Sequence, residues 1–196
     1  MEKLAEKIRA ARPLSWYRPG RVVNVRDKMQ RCTYTLTEPP GKHFAAGFRP
    51  ALSPARMLKM GVFEGKYLND GTQEFPREWF ENGRLRPVAD PTVNEFGIKS
   101  RLSLQAWRRN GWIPAGAGDQ DIRGWFQWYC RYWIGRRGPT DEIQIARWRA
   151  FARHRGQILA SYRRLGRRRP HTRAEKRLHR PRQRQALLQW AYDPYV

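Results

Sequence analysis

Large apolar side chains are densest at residues 124–137, where Trp125, Phe126, Trp128, Tyr129, Cys130, Tyr132, Trp133 and Ile134 crowd together. At about 100° per residue these cover most of a helix's circumference, and only Gln127 and Arg131 form a narrow polar strip. A helix that is apolar nearly all round is a buried one, so the pattern predicts the central post of a domain. Asp119 and Asp121 precede it and Arg136 and Arg137 follow it, charges that suit the two ends of its dipole. Gly138 and Pro139 then break the chain, Thr140 is placed to cap, and a helix is predicted from residue 141 to 165, with Gly166 as its stop. Ile145, Trp148, Ala152, Leu159 and Tyr162 form its apolar stripe, with Phe151 and Ile158 beside it. Arg147, Arg149, Arg153, Arg155, Arg163 and Arg164 occupy the other faces. An antiparallel return of this helix against the aromatic one makes a helical hairpin.

Upstream, residues 2–11 read as a short amphipathic helix, closed by Arg12 and Pro13. Residues 21–25 and 32–37 read as two strands. In the second, Cys32, Tyr34 and Leu36 alternate with three threonines, the period of a half-buried strand. They pair as a hairpin, which needs a surface to pack on. Ser53 and Pro54 start a helix that Gly61 closes, Trp79 and Phe80 sit on a further helical turn, and residues 103–110 form a compact helix. Residues 167–183 change regime, with almost nothing apolar and two Arg-Pro steps, and such a segment cannot bury enough surface to order itself. Leu187, Leu188, Trp190 and Tyr192 then form a short apolar helix that must dock back. The fold class is therefore mainly α (α+β): an aromatic-rich helical hairpin core with a small N-terminal β-hairpin and an Arg-rich C-terminal segment. The organisation is a domain over 1–165, a basic, partly disordered segment over 166–184 and a docked helix over 185–196.

Charge changes this picture from a fold to a class of partner. The 196 residues carry 40 Lys and Arg against 17 Asp and Glu, a formal net charge of +23, and 32 of the 40 are arginine. Such a charge repels itself unless a polyanion neutralises it, and the planar guanidinium bonds two phosphate oxygens and stacks on bases. Nucleic acid is the expected partner. Cys32 and Cys130 are the only cysteines and form no metal-ligand pattern, which fits a reducing, cytoplasmic setting. The polar N-terminus shows no secretory signal, and the aromatic run falls short of the roughly 20 residues of a membrane span, so no membrane partner is expected.

Several constellations can carry chemistry. Arg131, Arg136 and Arg137 after the aromatic run, the helical arginines named above, and Arg167, Arg168 and Arg169 can track a phosphate backbone, at the expense of salt sensitivity. Ser103, Leu104, Trp107, Arg108, Arg109, Gly111, Ile113 and Pro114 resemble the helix and exit turn of winged helix-turn-helix proteins of the excisionase and MerR type, over 16 residues. That resemblance implies Arg101, Gln105, Arg108 and Arg109 as groove-facing residues; the alternative is a capped core helix held by Leu104 and Trp107. Glu64 and Lys66 form a Glu-x-Lys, and with Asp70, Glu74, Glu78 and Glu81 nearby they can hold Mg2+ and orient a water, with His154 as a further candidate base. No other cofactor is implied. The leading expectation is a nucleic-acid-binding protein, RNA or a ribonucleoprotein surface ahead of DNA. The rivals are a metal-dependent nuclease or modifying enzyme using acids from 64–81, and a protein–protein scaffold.

Overall fold

The computed structural model describes residues 2–100, 104–111 and 121–196. The aromatic run is helix α5 (Trp125–Trp133), and it is the post the pattern predicts: Trp128, Tyr129, Cys130 and Tyr132 are buried. Gly124 starts it in the left-handed region, and Gln127 Oε1 folds back to accept from the Arg123 amide at 3.0 Å, in place of a cap. Its exit turn is set by Gly135 at φ 109°, where a Cβ would meet the Glu38 carbonyl oxygen at 1.9 Å. Only glycine fits there, and the Gly135 carbonyl in turn accepts from the amides of Thr37 and Glu38. Phe48 inserts a ring among Trp128, Tyr129, Tyr132 and Trp148, at centroid distances of 5.6, 5.9, 5.4 and 5.0 Å. Each ring buries a large area, which lets few residues close the core.

Around this post, α1 (Glu2–Arg9) leads into an antiparallel hairpin of β1 (Val22–Arg26) and β2 (Arg31–Thr35), with Val23 opposite Tyr34 and Val25 opposite Cys32. Val23, Val25 and Tyr34 face the core and their neighbours face outward. Helix α2 (Pro54–Met60) begins as expected, Ser53 Oγ accepting from the Arg56 amide at 3.3 Å. Helix α3 (Arg77–Glu81) buries Trp79 and Phe80, and α4 (Leu104–Arg109) ends at Asn110 and Gly111, the latter at φ 64°. The mainly helical α+β class is the one observed.

The long helix predicted over 141–165 is two helices, α6 (Asp141–Phe151) and α7 (Arg153–Leu165). At the break the Ala152 amide bonds the Arg149 carbonyl, a tighter turn than the α-helical one. Thr140 makes no capping hydrogen bond; the Asp141 carboxylate instead fixes the preceding turn and the aromatic helix, accepting from the Gly138 amide at 2.9 Å and from Trp128 Nε1 at 2.8 Å.

Where composition predicts partial disorder, residues 173–178 form α8 (Arg173–Leu178), opened by a capping box in which Thr172 and Glu175 satisfy each other's amides. Buried Glu95 fixes it, accepting from Arg173 Nη2 at 2.7 Å and from Tyr195 Oη at 2.6 Å, with Arg84 Nη2 at 3.5 Å. Helix α9 (Pro181–Gln189) docks on the core through Leu187 and Leu188, and the following Trp190 stacks between Trp125 and Phe151 at 4.8 Å from each. Among the described residues no helix is long and apolar enough to cross a membrane.

Candidate nucleic-acid interface

The acids of 64–81 do not converge. Glu64 is buried on a turn where its Oε1 accepts from the Ser100 amide at 3.1 Å, while Lys66 is exposed. Asp70 meets Arg123 at 3.0 Å, and Arg123 also holds Asp27 at 2.7 Å. Glu78 accepts from the Leu14 amide, and Glu81 pairs with Arg77. His154 leans on the Phe151 ring, 4.3 Å between centroids, and burial, then the Arg153 charge, hold its pKa below the ordinary value. Among the described residues no group of three His, Cys, Asp or Glu side chains is gathered for a metal, so the nuclease reading has no assembled carboxylates behind it.

Glu74 instead belongs to a buried ionic chain that runs beneath the β-hairpin. Arg131, with no exposed surface, donates from Nε and Nη2 to Glu74 at 2.5 and 3.2 Å and from Nη1 to Asp121 at 3.1 Å. Arg136 grips the same Asp121 with both terminal nitrogens, at 2.9 and 2.7 Å. The Tyr34 hydroxyl donates to Glu74 at 2.9 Å, and burial, reinforced by the Glu74 charge, pushes the Tyr34 pKa up. Burial opposes the charge of Arg131, but Glu74, Tyr34 and Asp121 together outweigh it, so the guanidinium pKa is raised. Arg131 and Arg136, expected among the phosphate contacts, thus lie where no phosphate reaches them. The physical reason is that two arginines and two carboxylates neutralise one another inside an aromatic core. Arg137 is half-buried over the Tyr132 ring at 3.8 Å and donates to the carbonyls of Lys42 and His43.

The other arginines fare differently. Residues 143–184 carry fourteen arginines and one lysine against a single acid, Glu175. Glu175 is turned onto the amides of His171 and Thr172. Arg153, Arg155, Arg163, Arg164, Arg167, Arg168 and Arg169 are exposed, and among the described residues none of them is in an ion pair. Arg147 reaches Gln144 at 3.2 Å and Arg149 donates to the Ala46 carbonyl at 2.8 Å. Arg163, Arg167, Arg169 and His171 rim an open depression of about 760 Å³ floored by Leu159 and Tyr162. His171 also borders a second hollow, about 250 Å³, with Arg56, Arg173 and Lys176. His171 lines both hollows, which together form a trough between the end of α7 and the start of α8; Asp193 also lines the second hollow, and Arg173 there is paired with Glu95 at 2.7 Å. Of the helix-turn-helix candidates, Gln105 and Arg109 are exposed on α4; Arg101, Ser103, Ile113, Pro114 and the Arg108 side chain lie outside the described residues, as does Asp119.

Sequence reasoning missed Arg56, His171 and Lys176 as trough residues because they come from separate elements. It also missed the contact of Ser161 with His179. Ser161 Oγ donates to the Ile158 carbonyl at 2.6 Å and lies 2.8 Å from His179 Nε2. The hydroxyl has one proton, so Nε2 must be the donor of that second bond, and the pair is a tether between α7 and α8, not an activated nucleophile. Burial, then the charges of Arg184 and Arg180, hold the His179 pKa below its ordinary 6.5. A lowered folded pKa means that the unfolded chain binds the proton more readily. The stability linked to neutral His179, and to His154 alike, is fully present above pH 6.5 and lost as pH falls through the lowered values. Urea midpoints are therefore expected to drop between about pH 6.5 and 5, above the range where ordinary carboxylates titrate, and His179→Gln is expected to flatten that drop.

Comparison of the chain with protein-family models, with curated proteins and with solved structures found no match.

Proposed function

We propose that the protein binds nucleic acid, RNA ahead of DNA, by laying a phosphate backbone along the arginines of α6, α7 and the trough before α8. The observation that carries this is the run of exposed arginines at 153–169 with no acid beside them. Buried Arg123 and Arg131, by contrast, are matched, the first by Asp27 and Asp70 and the second by Glu74 and Asp121. A solvated helix face of ordinary kind would alternate its charges; this one needs counterions, and a polyphosphate supplies them with a gain from those it releases. Contacts of this type fix position and carry no sequence information. RNA is placed first because its unpaired bases also offer faces to guanidinium planes and rings. Fluorescence anisotropy with labelled RNA and DNA strands at low salt tests the reading: saturable binding is expected, and no binding to any strand overturns it.

A further inference from the structure

A cavity of about 430 Å³ opens between α5, α6 and α9, within the ~300–1,000 Å³ range of small-ligand sites. Phe63, Trp125 and Phe126 form its floor, and Phe151 and Trp190 its sides. Its walls belong to a column of rings that starts in the core. Tyr129 stacks on Trp125 (5.1 Å, 18°), Trp125 on Trp190 (4.8 Å, 29°), and Trp190 on Phe151 (4.8 Å, 10°). Phe151 and Trp190 are half-buried, and His154 packs against the Phe151 ring at the outer end of the column, 4.3 Å between centroids. Arg147 and Arg153 also line the cavity, Arg147 because it shares one face of α6 with Ala150 and Phe151, and Arg153 from the first turn of α7.

One floor residue, Phe63, stands on a strained turn. Phe63, Glu64 and Gly65 are consecutive residues in the left-handed region, at φ 51, 58 and 71°. Non-glycine residues are disfavoured there, because the Cβ crowds the following carbonyl oxygen. The turn persists because it is held from several sides: the Glu64 amide donates to Asn94 Oδ1 at 2.9 Å, its carbonyl accepts from the Asp90 amide, and its carboxylate accepts from Ser100. Strain of this kind collects where a structure must present a group in one place, and here the group presented is the Phe63 ring.

An apolar, ring-walled slot beside guanidinium groups matches a planar base still attached to its phosphates. We infer that the cavity takes an unpaired nucleobase, with Arg147 and Arg153 on the flanking phosphates, and that the protein is selective for single strands over duplex. The inference rests on the phosphate-binding reading and adds a base site to it.

The test uses the wild-type protein at one fixed low salt concentration. It compares a short oligoadenylate, an abasic strand of the same length and a duplex of the same sequence. The oligoadenylate is expected to bind about ten-fold or more tightly than the abasic strand, the scale of one base–ring stack, and more tightly than the duplex. Equal affinity for the oligoadenylate and either competitor overturns the base site while leaving phosphate binding intact. Binding to none of the three overturns both. Phe151→Leu, checked for an unchanged melting curve, is expected to bring the oligoadenylate down towards the abasic strand, and an unaltered ratio contradicts the assignment. If Phe151→Leu does not fold, the wild-type comparison decides alone.

Discussion

Glu74→Ala is expected to lower stability by ~3–5 kcal/mol, the scale of a broken buried ion pair, read as a shift of the urea unfolding curve. Glu74 is 3% exposed and holds Arg131, 0% exposed, through two of its nitrogens. Without it the buried chain has, among the described residues, Arg131 and Arg136 against the one carboxylate of Asp121, an excess positive charge inside the aromatic core. The Tyr34 hydroxyl loses its acceptor at the same time, and a buried donor without a partner is itself destabilising. The pair as a whole need not be a net stabiliser, because taking both ions out of water is costly. Glu74→Met combined with Arg131→Met is therefore expected to be less destabilising than the sum of the two single changes, a coupling that a double-mutant cycle measures. If Glu74→Ala costs no more than an average surface change, the ionic chain does not support the fold.

Arg167→Gln, Arg168→Gln and Arg169→Gln together are expected to weaken nucleic-acid binding and flatten its salt dependence. Each lost phosphate contact removes about 0.7 from the slope of log K against log salt for a single strand and about 0.9 for a duplex, so three contacts change it by about 2–3. These side chains are exposed and among the described residues make no ion pair, so the melting temperature is expected to stay near that of the wild type. Net charge alone is separable from position. Arg18→Gln, Arg26→Gln and Arg31→Gln remove the same charge from the exposed side of the β-hairpin region, and are expected to leave most of the slope in place. Equal loss from both triple variants means that the charge acts diffusely and the trough is not a site.

What was legible in the sequence is what depends on neighbours along the chain. The alternation of Cys32, Tyr34 and Leu36 marks a strand, Ser53 and Pro54 mark a helix start, and the density of rings at 125–134 marks a buried post. Each depends on local periodicity or on one capping bond. The direction an arginine faces is not local. Arg131 and Arg153 look alike in sequence, yet one meets Glu74 across 57 residues and the other faces water. The break at Ala152 carries no glycine or proline, and Gly156, the residue that would suggest one, lies inside α7. Ordering of α8 had a signal in Thr172 and Glu175, a Thr-x-x-Glu capping box, which the surrounding arginines obscured, but its anchor Glu95 is 78 residues from Arg173. The base-sized cavity was illegible for the same reason: Phe63, Phe151 and Trp190 come together only when α9 returns to the core.

Phosphate binding is tested by the dissociation constant of labelled RNA and DNA strands measured across a series of potassium chloride concentrations. Binding through the arginines of 153–169 predicts tight association at low salt and a straight fall of log K with log salt, with a slope of about −3 or steeper if four or more phosphates are engaged. Absence of binding at low salt, or an affinity that does not change with salt, contradicts it.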